Sequence, residues 1–240
     1  MNQNNLEGKV AIVTGSGRGI GKAIAIGFAR AGAKVVVCGR TAGHDAGPWS
    51  IDATSQQIEA LGGEVVAIQC DVAQSDQVDR VVDRTLQEWG RVDVLVNNAG
   101  YKWSKNLLDT PYATWDAIIR TNLDGVYLCS MAALKPMRKQ RSGSIITISS
   151  GAATSIGPGS AAYAASKAGV DRLMIKLGAE LIDEGISANA LDPGATLTEE
   201  NQLRDDKDRS TWVLTEEKKI VPACIFLAGQ TANGITGRVL

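Results

Sequence analysis

The sequence predicts an α/β protein: one doubly wound parallel sheet with helices on both faces, in a single domain spanning residues 1–240. Three observations predict it. Short apolar runs recur along the chain, helical patterns fill the intervals between them, and a glycine-rich turn joins the first run to the first helix. Apolar strands that alternate with amphipathic helices form βαβ units, whose parallel strands are linked by right-handed crossovers. Strands are expected at Val10–Val13, Lys34–Cys38, Glu64–Gln69, Val92–Val96, Ser144–Ser149 and Ile186–Leu191. Helices are expected at Ile20–Ala31, Ile51–Leu61, Ser75–Trp89, Tyr112–Arg138 and Ala161–Glu184. Val10–Val13 is apolar throughout and stops at Thr14, as suits a strand covered on both faces. Thr41–Ser50 is a long loop after the second strand. Ala195–Thr211 carries the charged run Glu199–Arg209, and no linker or repeat interrupts the pattern elsewhere. Ligands of such a sheet bind beyond the carboxyl ends of its strands.

Composition narrows the classes. Apolar residues make up 44% of the chain, the share of an ordinary globular domain. No apolar run reaches the ~18 residues of a membrane span, and the N-terminus has neither a basic nor an apolar signal region, so a cytoplasmic protein without a membrane partner is expected. A net charge of −1 offers no basic footprint for nucleic acid. Cys38, Cys70, Cys129 and Cys224 are scattered and read as buried thiols. His44 is the one histidine and lies in a loop, which argues against a histidine metal centre or a Ser-His-Asp triad. No metal is expected.

Two patterns carry chemistry. Thr14-Gly-Ser-Gly-Arg-Gly-Ile-Gly21 lies between a strand and a helix, the Rossmann arrangement that holds a pyrophosphate on backbone N–H groups and a helix N-terminus. The strict G-x-G-x-x-G spacing is absent, and the pattern is instead T-G-x-x-x-G-x-G. Tyr163 and Lys167 stand four residues apart, on one face of a helix. A free phenol ionises near pH ~10, and a fixed cation beside it lowers that value toward the neutral range.

With Asp71, Asn97-Asn-Ala-Gly100, Asn122, Ser150 and Pro193-Gly194 in register between and after these motifs, the chain resembles the short-chain dehydrogenases/reductases over nearly its whole length. The resemblance implies hydride transfer between a nicotinamide cofactor and a carbonyl or secondary alcohol. It makes Tyr163 the general acid or base, with Lys167 tuning it and hydrogen-bonding the nicotinamide ribose. Ser150 would hold the substrate oxygen, with Ser149 as its rival, and Asn122 would order a water that relays protons. Gly15, Ser16, Arg18, Gly19, Ile20 and Gly21 would surround the pyrophosphate. Asp71 and Val72 would lie against the adenine, and Asn98, Ala99 and Gly100 against the adenosine half. Pro193, Gly194, Thr196 and Thr198 would approach the nicotinamide, although the family usually carries Val or Ile where Thr196 stands. NAD-binding relatives end the second strand with an acid; here the place reads Cys38-Gly-Arg40, and Arg40 with Arg18 suits the 2′-phosphate of NADP(H).

Residues 195–212 would be a mobile loop over the substrate. Ala152, Ile156, Trp103 and Trp212 are candidate pocket walls, with Lys102 and Lys105 allowing an anionic substrate. Members usually run a few residues past Leu240, to a tail ending in Gly-Gly. The activity expected is carbonyl reduction, as of a 3-oxoacyl thioester. A sugar or secondary-alcohol dehydrogenase and a non-catalytic nucleotide-binding regulator stand as alternatives. Leu128, Met131, Leu134, Leu173, Met174, Leu177 and Leu181 exceed what one helix face requires, which predicts a homotetramer.

Overall fold

Side-chain alternation along six strands decides the layers. The computed structural model describes residues 6–43, 47–197 and 215–240; His44, Thr198, Trp212 and most of the 195–212 segment lie outside the described residues. β1 (Val10–Thr14), β2 (Lys34–Gly39), β3 (Val65–Gln69), β4 (Val94–Asn97), β5 (Gly143–Ile148) and β6 (Ile186–Leu191) form one sheet in the order β3-β2-β1-β4-β5-β6. Every pairing in it is parallel. Ile12, Val36, Leu95, Ile145 and Ala188 point to one face, where α3 (Ser75–Trp89), α5 (Gly125–Gln140) and α6 (Ala161–Glu180) cover them. Val13, Val35, Val37, Val94, Val96 and Ile146 point to the other, beneath α1 (Gly19–Arg30), α2 (Ile51–Ala60) and α7 (Val221–Ala228). Burial on both faces explains why these strands read as continuous apolar runs.

Three departures from the expected elements have visible causes. β4 begins at Val94 rather than Val92, because buried Asp93 is used as a clasp. It exchanges hydrogen bonds with Val10 and accepts two from the Arg91 guanidinium at 2.8 and 2.7 Å. The Tyr112–Arg138 helix divides into α4 (Tyr112–Ile119), a π-turn at Arg120–Asp124, and α5. At its centre Asn122 is fully buried, and its carboxamide is bonded outside the helix. The Ala161–Glu184 helix stops at Glu180 and closes with a tight turn ending at Gly185, whose φ of 77° is left-handed. Leu134, Met174 and Leu181, expected on surplus faces for assembly, are buried in this chain's own core. Met131 is exposed, as is Tyr127 beside it on α5.

The sheet also gains an edge that the apolar pattern did not predict. Residues 237–240 run alongside β6: Gly237 N–H donates to Ala188, Ala190 N–H to Arg238, and Asp192 N–H to Leu240. A short parallel pair, β7 (Thr196–Leu197) with β8 (Thr215–Glu216), stands beyond the end of β6.

The added edge packs tightly on α6. A Cβ built at Gly178 would lie 2.3 Å from the Gly237 nitrogen, a backbone atom that cannot turn aside. Gly178→Ala is therefore expected to destabilise the fold by about 1–3 kcal/mol despite the better helix propensity of alanine. A lowered urea midpoint with unchanged slope is the expected readout, and an unchanged or raised midpoint would contradict it.

Candidate active site

The strand order reverses between β1 and β4, and the carboxyl ends of the strands open there onto a cleft of about 920 Å³. The glycine turn forms one wall. Gly15 has a φ of 63°, and a Cβ there would lie 2.8 Å from Ala99 Cα. A Cβ at Gly21 would lie 2.3 Å from Asn98 Nδ2 and 2.4 Å from the Gly15 oxygen. Only glycine fits both demands. Asn98 Nδ2 donates to the Thr14 and Gly15 carbonyls at 2.9 and 3.1 Å, and Thr14 Oγ1 accepts from the Asn98 and Ala99 N–H groups, each at 3.0 Å. The loop after β4 thus fixes the turn after β1. Arg18 stands at the N-cap of α1 and its side chain does not cap the helix, so the first-turn amides are left for an anion.

Arg18 and Arg40 both line the cleft near the end of β2, with Thr41 and Trp49 beside them. Asp71 lines it beyond β3, and its Oδ1 accepts from Ala73 N–H at 3.0 Å. No carboxylate follows β2 directly, where Gly39 and Arg40 stand.

Ser150, Tyr163 and Lys167 meet at the far end of the cleft. Ser150 lies just past β5, and its Oγ accepts from Ala152 N–H at 3.2 Å, which leaves its own proton to donate. Ser149, its rival, is buried in the floor. Tyr163 and Lys167 project from the first turns of α6, and Lys167 Nζ lies 5.6 Å from the centroid of the Tyr163 ring. Lys167 is 5% exposed and donates to the Ile148 carbonyl at 2.6 Å. Burial draws its pKa from 10.5 down to about 8, against the upward pull of Asp171 and Asp192. A second ammonium, that of Lys102, lies 5.8 Å from the same ring centroid.

Most of the residues singled out in the sequence line this cleft: Gly15, Arg18, Gly19, Ile20, Gly21, Arg40, Asp71, Val72, Asn98, Ala99, Gly100, Ser150, Tyr163, Lys167, Pro193, Gly194 and Thr196. Two lie behind the lining. Ser16 is buried, and its N–H and hydroxyl both donate to the Cys38 carbonyl. Asn122 Oδ1 accepts from Tyr101 N–H at 2.7 Å, and its Nδ2 donates to the Tyr101 carbonyl and to Ser166 Oγ. Its side chain therefore braces a loop to α6. Of the expected pocket walls, Ala152 lines the cleft, Ile156 points fully into solvent, and Trp103 stays outside the lining. Lys102, expected near the substrate, lines the cleft while Lys105 does not, and Asp192, Thr41 and Trp49 are lining residues that sequence reasoning did not assign to the site. For Asp192 the signal was its place next to Pro193-Gly194. Among the described residues, no group of three or more His, Cys, Asp or Glu side chains is arranged to hold a metal ion, and no helix is long and apolar enough to cross a membrane.

Known proteins share this arrangement. The short chain dehydrogenase family profile matches residues 9–209. A 3-oxoacyl-[acyl-carrier-protein] reductase of Synechocystis is 43% identical over 194 residues, 81% of this chain and 76% of that one. The 3-oxoacyl-[acyl-carrier-protein] reductase FabG of Thermotoga maritima is 36% identical over 98% of this chain and 96% of its own. Among solved structures, a short chain dehydrogenase from Burkholderia cenocepacia in complex with NADP superposes with a TM-score of 0.86 at 32% identity, covering 99% of this chain and 97% of that one. A dehydrogenase/reductase from Sinorhizobium meliloti gives 0.88 at 31%, covering 99% and 94%.

The buried lysine sets a pH-dependent penalty on folding. With a folded pKa of about 8 against 10.5 in the open chain, its charge costs roughly 3 kcal/mol below pH 8. Between pH 8 and 10.5 the unfolded chain binds the extra proton, so stability rises with pH and the cost fades. Lys167→Met removes the charge and leaves the Ile148 carbonyl and Asp171 without their partner. The variant is expected to lose the rise in stability between pH 8 and 10.5, so that its stability relative to wild type falls from pH 7 to pH 10. Thermal melts at the two pH values check this; a difference between the two proteins that does not change with pH refutes it.

Proposed function

The chain belongs to the short-chain dehydrogenases/reductases, oxidoreductases that interconvert C=O and CH–OH, and from that premise we propose that it reduces a 3-oxoacyl thioester with NADPH. The observation that carries the reaction is the convergence of Ser150, Tyr163 and Lys167 on one end of a cleft whose other end is a glycine cradle flanked by two arginines. The names of the Synechocystis and Thermotoga maritima relatives support the acyl substrate. Lys102 in the lining favours a second reading, a ketone bearing an anionic group near the carbonyl.

The residues present fit a dinucleotide phosphate. Side chains on Gly15 or Gly21 would collide with the neighbouring loop, the first turn of α1 has amides to offer, and Arg18 and Arg40 supply guanidinium donors where an NAD-binding chain would carry an acid. When bound, the nicotinamide supplies a hydride to the carbonyl carbon. Tyr163 delivers the proton from its hydroxyl to the substrate oxygen in reduction and takes it back in oxidation. Lys167, held by the Ile148 carbonyl, sets its positive charge beside the phenol, 5.6 Å from the ring centroid. Ser150 donates to the substrate oxygen as negative charge builds there, because its acceptor side is engaged by Ala152 N–H. A relay water at Asn122 would rest on the backbone of the π-turn, since the carboxamide is committed to Tyr101 and Ser166. We also propose a homo-oligomer, a tetramer by preference, on the narrower basis of exposed Tyr127 and Met131. A monomeric mass by light scattering at micromolar concentration rejects it.

Tyr163→Phe is expected to lower kcat by about 10²–10⁴-fold while NADPH still binds, as followed by fluorescence. A screen of NADPH oxidation over thioester, neutral and anionic ketones identifies the substrate; retention of more than about a tenth of wild-type kcat in the variant removes Tyr163 from the chemistry.

Arg40→Ala is expected to weaken NADPH about 10–100-fold and to leave NADH nearly unchanged, one charge-assisted contact being lost. Gly39→Asp should go further and reverse the preference. The added Cβ would lie 3.3 Å from the Ile51 methyl and 3.9 Å from the Gly15 Cα, so the Ile51 side chain must give by a few tenths of an ångström to admit it. Titrating both cofactors against wild type and each variant decides it, and equal weakening of the two cofactors would reject the 2′-phosphate assignment.

A further inference from the structure

Behind Lys167 lie polar groups that the proposed chemistry does not use. Ile148 ends β5, and its carbonyl takes the Lys167 hydrogen bond. The next residue, Ser149, is 2% exposed, and its Oγ completes no hydrogen bond. Asp171 stands one helical turn beyond Lys167 on α6, the same four-residue spacing that sets Lys167 against Tyr163. Its Oδ1 is buried and also completes none. A buried hydroxyl and a buried carboxylate oxygen each carry a desolvation cost that an apolar pair would avoid. The fold keeps both next to the one ammonium that the proton transfer requires in its charged form.

We propose that Asp171, steadied by Ser149, is a positioning residue that keeps Lys167 protonated in its buried seat and, through Lys167, keeps Tyr163 competent to exchange its proton. This rests on the reading of Tyr163 and Lys167 as the catalytic pair. Burial opposes the charge on Lys167, and Asp171 is the first of the two carboxylates that restore it, Asp192 being the second. Asp171 is itself raised by burial and held down by the approach of the Ser149 hydroxyl, which stops short of a completed hydrogen bond, and by Lys167. The charged and titratable groups around the pair come from several elements: Asp171 from α6, Asp192 from the end of β6, Lys102 from the loop after β4, and Tyr163 itself. Asp192 and Lys102 line the cleft, whereas Asp171 does not, so it is the group that can be altered while the wall facing substrate stays intact.

The test reads Lys167 directly. Lysine labelled with ¹³C is introduced into Tyr163→Phe protein, where the phenol no longer titrates, and the Lys167 Cε resonance is followed against pH. Its assignment comes from its loss in Lys167→Arg. Asp171→Asn is expected to lower the midpoint by about one pH unit or more, and Asp171→Glu, which keeps the charge, to hold it within about half a pH unit. With Tyr163 present, Asp171→Asn should lose about tenfold in kcat at pH 8 with little change in KM, and the loss should shrink at pH 6, where Lys167 stays protonated in both proteins. If Asp171→Asn does not melt cooperatively, Ser149→Ala serves in its place, with a midpoint shift in the same direction expected. An unmoved midpoint overturns the proposal, as does an equal fall in the Asn and Glu variants, which would trace the effect to packing. The titration needs no substrate. A shifted midpoint in a protein inactive on every ketone sinks the reductase reading alone, and an active enzyme with an unmoved midpoint sinks this proposal alone.

Discussion

The contact between Thr14 and Asn98 holds the cleft open in its working shape. Thr14 ends β1 and Asn98 follows the end of β4, on either side of the point where strand order reverses, and four hydrogen bonds of 2.9–3.1 Å join them and their neighbours Gly15 and Ala99. Glycine at 15 and 21 is what permits that approach, and the approach in turn sets the angle at which α1 leaves the sheet. With α1 so aimed, its uncapped amides face the cleft and Arg18 reaches the neighbourhood of Arg40. A glycine-rich turn is floppy as an isolated peptide. Here it is rigid because the donors and acceptors that flexible loops leave to water are supplied by an asparagine on the adjoining loop.

The same edge of the sheet carries an opposed requirement. Catalysis asks for a charged ammonium beside a phenol in a site that excludes water, and exclusion of water is what disfavours the charge. The fold resolves this with a backbone carbonyl and two carboxylates around one lysine. The burial of that lysine costs stability locally, the trade that the proposed proton transfer would require and that functional sites commonly make.

Much of this was legible in the sequence, and the exceptions are instructive. Ser75–Trp89 matches its expected bounds, because its apolar residues repeat at helical spacing and Gly90 ends it in the left-handed conformation. Arg18, Tyr163 and Lys167 reach the cleft because they sit at fixed offsets from strand and helix ends. The π-turn at Arg120–Asp124 was not legible: the widening accompanies bonds from Asn122 to Tyr101 and Ser166, residues 21 and 44 positions away. Asp93 was read as part of an apolar strand, since nothing local announces that its carboxylate will meet Val10, 83 residues earlier. Trp103 and Ile156 were assigned to the pocket by hydrophobicity alone, and hydrophobicity does not say which way a loop turns. Asp171 was within reach, being spaced from Lys167 as Lys167 is from Tyr163.

The strip of residues 237–240 beside β6 is tied directly to the wall of the cleft. Leu240 accepts from the N–H of Asp192, a cleft residue, and Asp192 Oδ1 in turn accepts from Gly194 N–H at 2.9 Å. Two hydrogen bonds thus separate the Leu240 carbonyl from the glycine expected to meet the nicotinamide. Anything that shifts the 237–240 strip along β6 has a direct mechanical line to the place where the hydride would move.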